Sequence, residues 1–193
     1  MSLEGKRIGF VMTGSFCTFE KAFRAARELA ALGAELTPIM SFNAAGVSSR
    51  FGTAEENVRR IEEITGRKVI RTIEDAEPIG PKKLFDLLVI APCTANTAAK
   101  LALGITDTPA AMAVKSHLRN GRGVVIAVST NDALGAAAKN IGALQNMRHY
   151  YFVPYRQDNY EAKPLSMVAE FDRIAETAEK ALKGEQIQPM ILC

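Results

Sequence analysis

The run Leu87-Leu88-Val89-Ile90-Ala91 constrains this chain more than any other stretch. Uninterrupted apolar residues without alternation mark a strand buried on both faces, and such strands belong to parallel sheets covered by helices on either side. Pro92 predicts the end of that strand, because proline brings no N–H to a central ladder. A polar cluster follows (Thr94, Asn96, Thr97), then an Ala/Leu-rich helix that Gly104 stops. Small polar side chains therefore stand where a parallel strand hands over to a helix, and in open α/β sheets ligands bind at that carboxyl edge. Thr94 has a simple structural reading as helix N-cap. Asn96 has less structural reason to stand in the first turn of an apolar helix, which makes its amide a candidate ligand contact.

The rest of the chain repeats this strand-to-helix alternation. Arg7 to Thr13 reads as a buried strand that breaks at Gly14-Ser15. Thr18 is the expected N-cap of a helix whose apolar residues Phe19, Ala22, Phe23, Ala26, Leu29 and Ala30 recur at helical spacing up to Gly33. Glu35 to Ser41 is the next strand, and 42–53 reads as a polar loop. A helix is expected over Glu55 to Thr65 with Gly66 behind it, then a short strand starting at Val69-Ile70 and an irregular segment over Glu77 to Lys83. Thr108-Pro109 pairs an N-cap with an N1 proline and opens a helix to about Leu118. Gly123 to Ser129 is a further buried strand, Ala133 to Met147 a helix and Tyr150 to Val153 a last short strand. Tyr155 to Pro164 reads as a polar, aromatic-bearing loop long enough for a lid, and Leu165 to Lys183 as the closing helix. Strands alternating with helices, without an internal repeat or linker, predict a single α/β domain over 1–193. Its architecture is a doubly wound parallel sheet with helices on both faces.

Composition narrows the function classes. A net charge of +3 without a Lys/Arg block interleaved with aromatics gives no expectation of nucleic acid. Cys17, Cys93 and Cys193 are three widely spaced cysteines with only His117 and His149 to assist, so neither a disulfide framework nor a metal site is expected. The N-terminal residues lack the apolar core of a signal peptide and no apolar run is long enough to cross a bilayer, so the expectation is a soluble, cytoplasmic protein without a membrane partner.

The strand ends themselves point to a ligand. Thr13-Gly14-Ser15, Ser41 to Asn43, Pro92 to Thr97 and Ser129 to Asp132 present hydroxyls and amides. No elbow motif and no paired catalytic carboxylates accompany them. Thr13-Gly14-Ser15 is neither a Walker loop nor G-x-G-x-x-G. It is either a plain tight turn or a place where free N–H groups at a helix start gather an anion. Together the four ends suit a phosphate-bearing cofactor better than a hydrolytic site.

At this level the residues are similar to a known family. Pro92-Cys93-Thr94-Ala95-Asn96-Thr97 with Lys100-Leu101-Ala102, Gly104-Ile105 and Asp107 resembles the central motif of the flavoproteins that include flavin-dependent cysteine decarboxylases and flavin prenyltransferases. Thr13-Gly14-Ser15 resembles that family's phosphate-binding turn. Further stretches (Arg50-Phe51-Gly52, Glu77 to Lys82, Ser129 to Gly135 and Tyr155 to Asp158) resemble one branch of it, the B subunit of a two-subunit enzyme of spore-forming bacteria. The resemblance implies a Rossmann-like, flavodoxin-like three-layer flavoprotein fold, an FMN-type flavin and a homo-oligomer, possibly trimer-based, with the site between subunits. Its implied cofactor contacts are Thr13, Gly14, Ser15, Ser41, Asn43, Thr94, Asn96, Thr97 and Ser129. The branch implies an A subunit carrying a nicotinamide cofactor and the oxidation of a partly reduced pyridine dicarboxylate in the mother cell during sporulation. One departure bears on the alternatives, decarboxylation or prenyl transfer: the decarboxylases carry an early catalytic histidine, and here no histidine precedes His117.

A dicarboxylate substrate needs cations, and Arg forks suit carboxylates. Arg50 is the first candidate and Lys82 the second, each also readable as a solvated loop charge. Aromatising a dihydropyridine needs an electron acceptor and a base; His149 is the available base, or a structural residue beside its strand. A third possibility is a non-catalytic subunit that holds substrate or partner.

Overall fold

In a computed structural model the protein is described over residues 3–192, so Cys193 lies outside the described residues. The elements run β1 (Arg7–Met12), α1 (Phe19–Ala31), β2 (Glu35–Met40), α2 (Phe42–Gly46), α3 (Ala54–Thr65), α4 (Ile73–Ala76), β3 (Leu87–Cys93), α5 (Ala95–Leu103), α6 (Pro109–Leu118), β4 (Val124–Thr130), α7 (Ala138–Gln145), β5 (Tyr150–Phe152), β6 (Tyr155–Arg156), β7 (Met167–Ala169) and α8 (Ile174–Leu182). The seven strands form one sheet in the order β2-β1-β3-β4-β7-β6, with β5 also on β4. The first four, together with β5, are parallel, the arrangement that the unalternating apolar runs of β1, β3 and β4 call for.

Local chemistry explains most boundaries. α1 buries Phe19, Ala22, Phe23, Ala26 and Leu29 along one stripe. α3 opens on a capping box in which Thr53 and Glu56 satisfy each other's N–H, and it closes on Gly66 at φ 65°. Every residue of β3 is buried.

Several expectations need correction. Pro92 does not end β3. The strand runs on to Cys93 because Pro92 lends its carbonyl, which accepts from the N–H (3.3 Å) and hydroxyl (2.7 Å) of Thr13, while the register with β4 slips between Ile90 and Cys93. Thr18 stands before α1, but its hydroxyl donates to Ser15 O at 2.9 Å instead of capping. The 42–53 loop contains α2, and the helix expected from Ala133 starts only at Ala138. The closing helix is shorter than predicted, since 167–169 is strand, and the sheet is mixed: β7 runs antiparallel to both β4 and β6.

That last correction positions the site. The amino half of β4 pairs with β5, whereas its carboxyl end (Ser129, Thr130) pairs with Val168 and Met167. The 157–166 connection is thereby folded back beside the carboxyl edge of the sheet.

Candidate functional site

The sheet order places the topological switch between β1 and β3, since β1 continues to β2 on one side and β3 to β4 on the other. Crevices outside the carboxyl ends of strands form at such points. Thr13 joins the two strand ends there. It is fully buried, its hydroxyl donating to Pro92 O and accepting from Thr94 N at 3.0 Å. Both bonds turn inward, so Thr13 aligns the edge without facing the crevice.

On that edge Gly14, Thr94 and Asn96 form a saddle between two hollows. The first, about 350 Å³, runs from the saddle past Ser15 and Thr18 to Ser129–Asp132, with Asp158, Lys163 and Ser166 on its far wall. The second, about 430 Å³, lies against Ser41, Asn43, Thr97, Lys100, Asp107 and Thr108. Both volumes fall in the range of small-molecule sites. A Cβ added to Gly14 would stand 3.4 Å from Asn43 Cβ, so glycine there keeps the saddle low.

The hydroxyls are tied into chains. Ser15 Oγ and Ser129 Oγ are 2.9 Å apart, and Ser129 Oγ reaches Thr18 Oγ1 at 3.4 Å. Ser15 N–H turns inward to Thr13 O at 2.7 Å, so this donor of the turn is already used. Ser41 caps α2 by accepting from Ala44 N at 3.3 Å. Thr94 caps α5, accepting from Thr97 N at 3.3 Å and bonding Thr97 Oγ1 at 3.1 Å. Ala95 and Asn96 N–H, in the first turn of α5, have no intrahelical acceptor. The Asn96 side chain is exposed on the saddle and makes no hydrogen bond among the described residues.

Two charged pairs flank the saddle. Lys100 Nζ sits 2.7 Å from both oxygens of Asp107, and this ammonium holds the carboxyl of Asp107 below its usual range. On the far wall Lys163 Nζ is 3.5 Å from Asp158 Oδ2. Partial burial pulls the Asp158 pKa up, but hydrogen bonding from Ser166 and the charge of Lys163 outweigh it and leave the group below the ordinary aspartate value. Asp132 accepts from Thr130 Oγ1 at 2.6 Å through one oxygen.

The fold thus brings together Gly14, Ser15, Ser41, Asn43, Thr94, Asn96, Thr97 and Ser129, with Thr13 behind them. It does not bring in Lys82 or His149. Lys82 precedes β3, and His149 precedes β5 with its carbonyl accepting from Val124 N at 2.8 Å, so both lie at the amino edge, across the sheet from the saddle. Arg50 is on the correct side but lines neither hollow. It sits on the exposed 49–52 turn with its guanidinium 4.8 Å above the Phe51 ring. Sequence reasoning missed Lys163, Asp158 and Ser166 as wall residues; only the placement of β7 beside β4 reveals them. Among the described residues no cluster of metal-ligating side chains occurs, and no helix is long and apolar enough to cross a membrane.

Known proteins resemble this chain in sequence and fold. The family model for flavoproteins matches residues 1–182. The B subunit of dipicolinate synthase of Bacillus subtilis is 47% identical over 191 residues, which cover 99% of this chain and 96% of that protein. The crystal structure of the corresponding dipicolinate synthase polypeptide from Bacillus halodurans, again the B subunit, matches with a TM-score of 0.92 at 40% identity, over 100% of this chain and 99% of that one. The FMN-dependent cysteine decarboxylase SpaF shares the fold, with a TM-score of 0.71 at 24% identity over 93% of this chain and 99% of that one.

Proposed function

This chain belongs to the flavoprotein family, and from that premise we propose that it is the B subunit of a dipicolinate synthase, holding an FMN-type flavin across the Gly14–Thr94–Asn96 saddle. The observation that carries the reading is the saddle itself: an unpaired amide at the switch point, between two hollows edged by hydroxyls. The donor set fits such a cofactor. A phosphate is an acceptor that hydroxyls and helix N–H groups can meet, whereas a flavin ring edge has both donors and acceptors for an amide to read.

Dihydrodipicolinate becomes dipicolinate by giving up a hydride and a proton from its ring, two electrons and two protons in all. A flavin bound at the saddle would supply a two-electron acceptor; a nicotinamide cofactor, which we place on the partner A subunit, is the other acceptor available to the assembly. The chain's own part is to bind, orient and receive a proton. Asp132 replaces His149 as the candidate base, because one carboxylate oxygen is held by Thr130 and the other makes no hydrogen bond among the described residues. We assign the exposed apolar residues Phe42, Val47 and Phe51, around Arg50, to contact with a neighbouring copy in a homo-oligomer. In that assembly Arg50 would meet a substrate carboxylate from across the interface between copies. The work site we infer is the cytoplasm of a sporulating cell.

The test is a flavin titration of the purified protein, followed by dipicolinate formation with the A subunit of the Bacillus subtilis relative. Binding of FMN and a dependence of dipicolinate formation on both chains are expected. An A subunit equally fast alone would reduce this chain to a non-catalytic role, and absence of flavin binding would remove the cofactor assignment.

Asn96→Ala separates binding from folding. Alanine is the better helix former, so apo thermal stability should hold level or rise slightly, while FMN affinity falls about tenfold, about 1.4 kcal/mol. A large loss of apo stability with unchanged affinity would make Asn96 structural.

A further inference from the structure

The wall of the first hollow has an unfavourable charge balance for a dicarboxylate. Asp132 and Asp158 are two carboxylates, and Lys163 is the one cation among the described residues lining it. Lys163 comes from the 157–166 connection, which is a built structure: Gln157 Nε2 donates to Pro164 O (2.8 Å), Ala162 N to Asn159 Oδ1 (2.9 Å), Lys163 N to Asn159 O (2.7 Å) and Ser166 N to Lys163 O (3.0 Å). Leu134 N donates to Leu165 O at 3.0 Å, tying the connection to the turn after β4. The backbone of Lys163 is fixed, then, while its side chain is half exposed on a flexible four-carbon stem.

The ammonium is held only loosely. It stands 3.5 Å from Asp158 Oδ2, with the two side chains 52% and 31% exposed, a distance and exposure at which an ion pair contributes little. Asp158 does not depend on that partner alone, since its side chain is 31% exposed. Releasing Lys163 leaves no orphaned buried carboxylate behind.

We propose that Lys163 is the residue that reads a carboxylate of the substrate, and that Asp158 is an internal stand-in which that carboxylate displaces. The assignment rests on the dicarboxylate-oxidising function proposed above and names a residue that reading did not use. Without the exchange the ammonium is spent on Asp158, and a dianion entering this hollow finds no free cation among the described residues of its wall. With it, the substrate takes over the one cation in the wall, and Arg50 of a neighbouring copy remains for the second carboxylate.

Asp158 and Lys163 make opposite predictions, which a structural ion pair would not. In the two-subunit reaction, Lys163→Met should raise KM for the dicarboxylate substrate roughly tenfold or more, the scale of a lost charge-assisted hydrogen bond, with kcat within about twofold. Lys163→Arg should restore most of the affinity. Asp158→Asn should lower KM severalfold, because the competitor for the ammonium is gone. FMN affinity and melting temperature should be unchanged in all three, which separates substrate reading from cofactor binding and folding. An unchanged KM in Lys163→Met, or a KM raised in both Lys163→Met and Asp158→Asn, overturns the assignment while leaving the proposed function in place. If the wild-type pair forms no dipicolinate, the functional reading itself fails, and this assignment with it.

Discussion

Gly80→Ala should destabilise the fold by about 3 kcal/mol, a loss at the upper end for overpacking a filled core, and lower the melting temperature by roughly 10 °C for a chain of this size. The reason is the approach of the 77–80 turn to α6. A Cβ on Gly80 would stand 2.2 Å from the backbone carbonyl oxygen of Ser116 and 2.8 Å from its Oγ. The carbonyl belongs to a helix and cannot rotate away as a side chain would. Three hydrogen bonds converge on the same contact: Gly80 N to Ser116 Oγ (2.9 Å), Ser116 Oγ to Glu77 O, and Asn120 Nδ2 to Gly80 O (2.9 Å). Moving the turn aside to admit a methyl group therefore breaks polar pairs as well. Gly142→Ala provides the contrasting sign. Gly142 is helical and exposed, with open space where a Cβ would go, so alanine should stabilise by about 0.5–1 kcal/mol through helix propensity. Paired urea titrations check both; a neutral Gly80→Ala would mean that α6 and the turn can separate without cost.

The same close approach shows what kind of information the sequence withholds. β1, β3 and β4 are legible because each is an apolar run that needs cover on both faces, and that need is local to the run. The saddle is legible for the same reason: polar residues directly after a buried parallel strand have nowhere to be except the carboxyl edge. Thr94 shows a cap and a site coinciding, since its hydroxyl caps α5 while the residue still lines both hollows. β6 and β7 are two and three residues long, too short to carry a periodicity, and their pairing is decided by contacts far along the chain. The wall formed by Asp158, Lys163 and Ser166 follows from that pairing and was hidden with it. Lys82 and His149 are a different case. Each precedes a parallel strand, so the same edge rule that located Asn96 sends both to the opposite edge. Their residue types suggested chemistry, and the direction of the strands overrules it. Arg50 follows β2 and passes that rule, which is why we propose a role for it through a neighbouring copy.

A fall in pH from 7 to 5 should cost the folded protein about 2 kcal/mol through one residue, His117. It is 1% exposed on α6, with Nε2 3.0 Å from Gly123 O. Desolvation lowers its pKa to about 4, with the nearby Arg122 charge adding to the effect and the Gly123 carbonyl and Asp86 opposing it. An unfolded histidine titrates near 6.5. Between those values the unfolded chain binds a proton that the native protein refuses. Stability is therefore fully present above about pH 6.5 and is lost as pH falls towards 4, at about 1.4 kcal/mol per unit. From pH 6.5 to 5 that amounts to about 2 kcal/mol. The carboxylates whose pKa values are lowered, Asp86, Asp107 and Asp158 with Glu56, Glu62 and Glu185, contribute mainly at lower pH, because unfolded aspartate and glutamate titrate near 3.9 and 4.3. The window from pH 7 to 5 thus isolates the histidine. His117→Gln keeps a donor for the Gly123 carbonyl and cannot take up the proton, so its urea midpoint should stay nearly flat across the window while that of the wild type falls. Wild type and variant losing stability in parallel would show that His117 is protonated without resistance in the native protein, and that its burial does not exclude the charge.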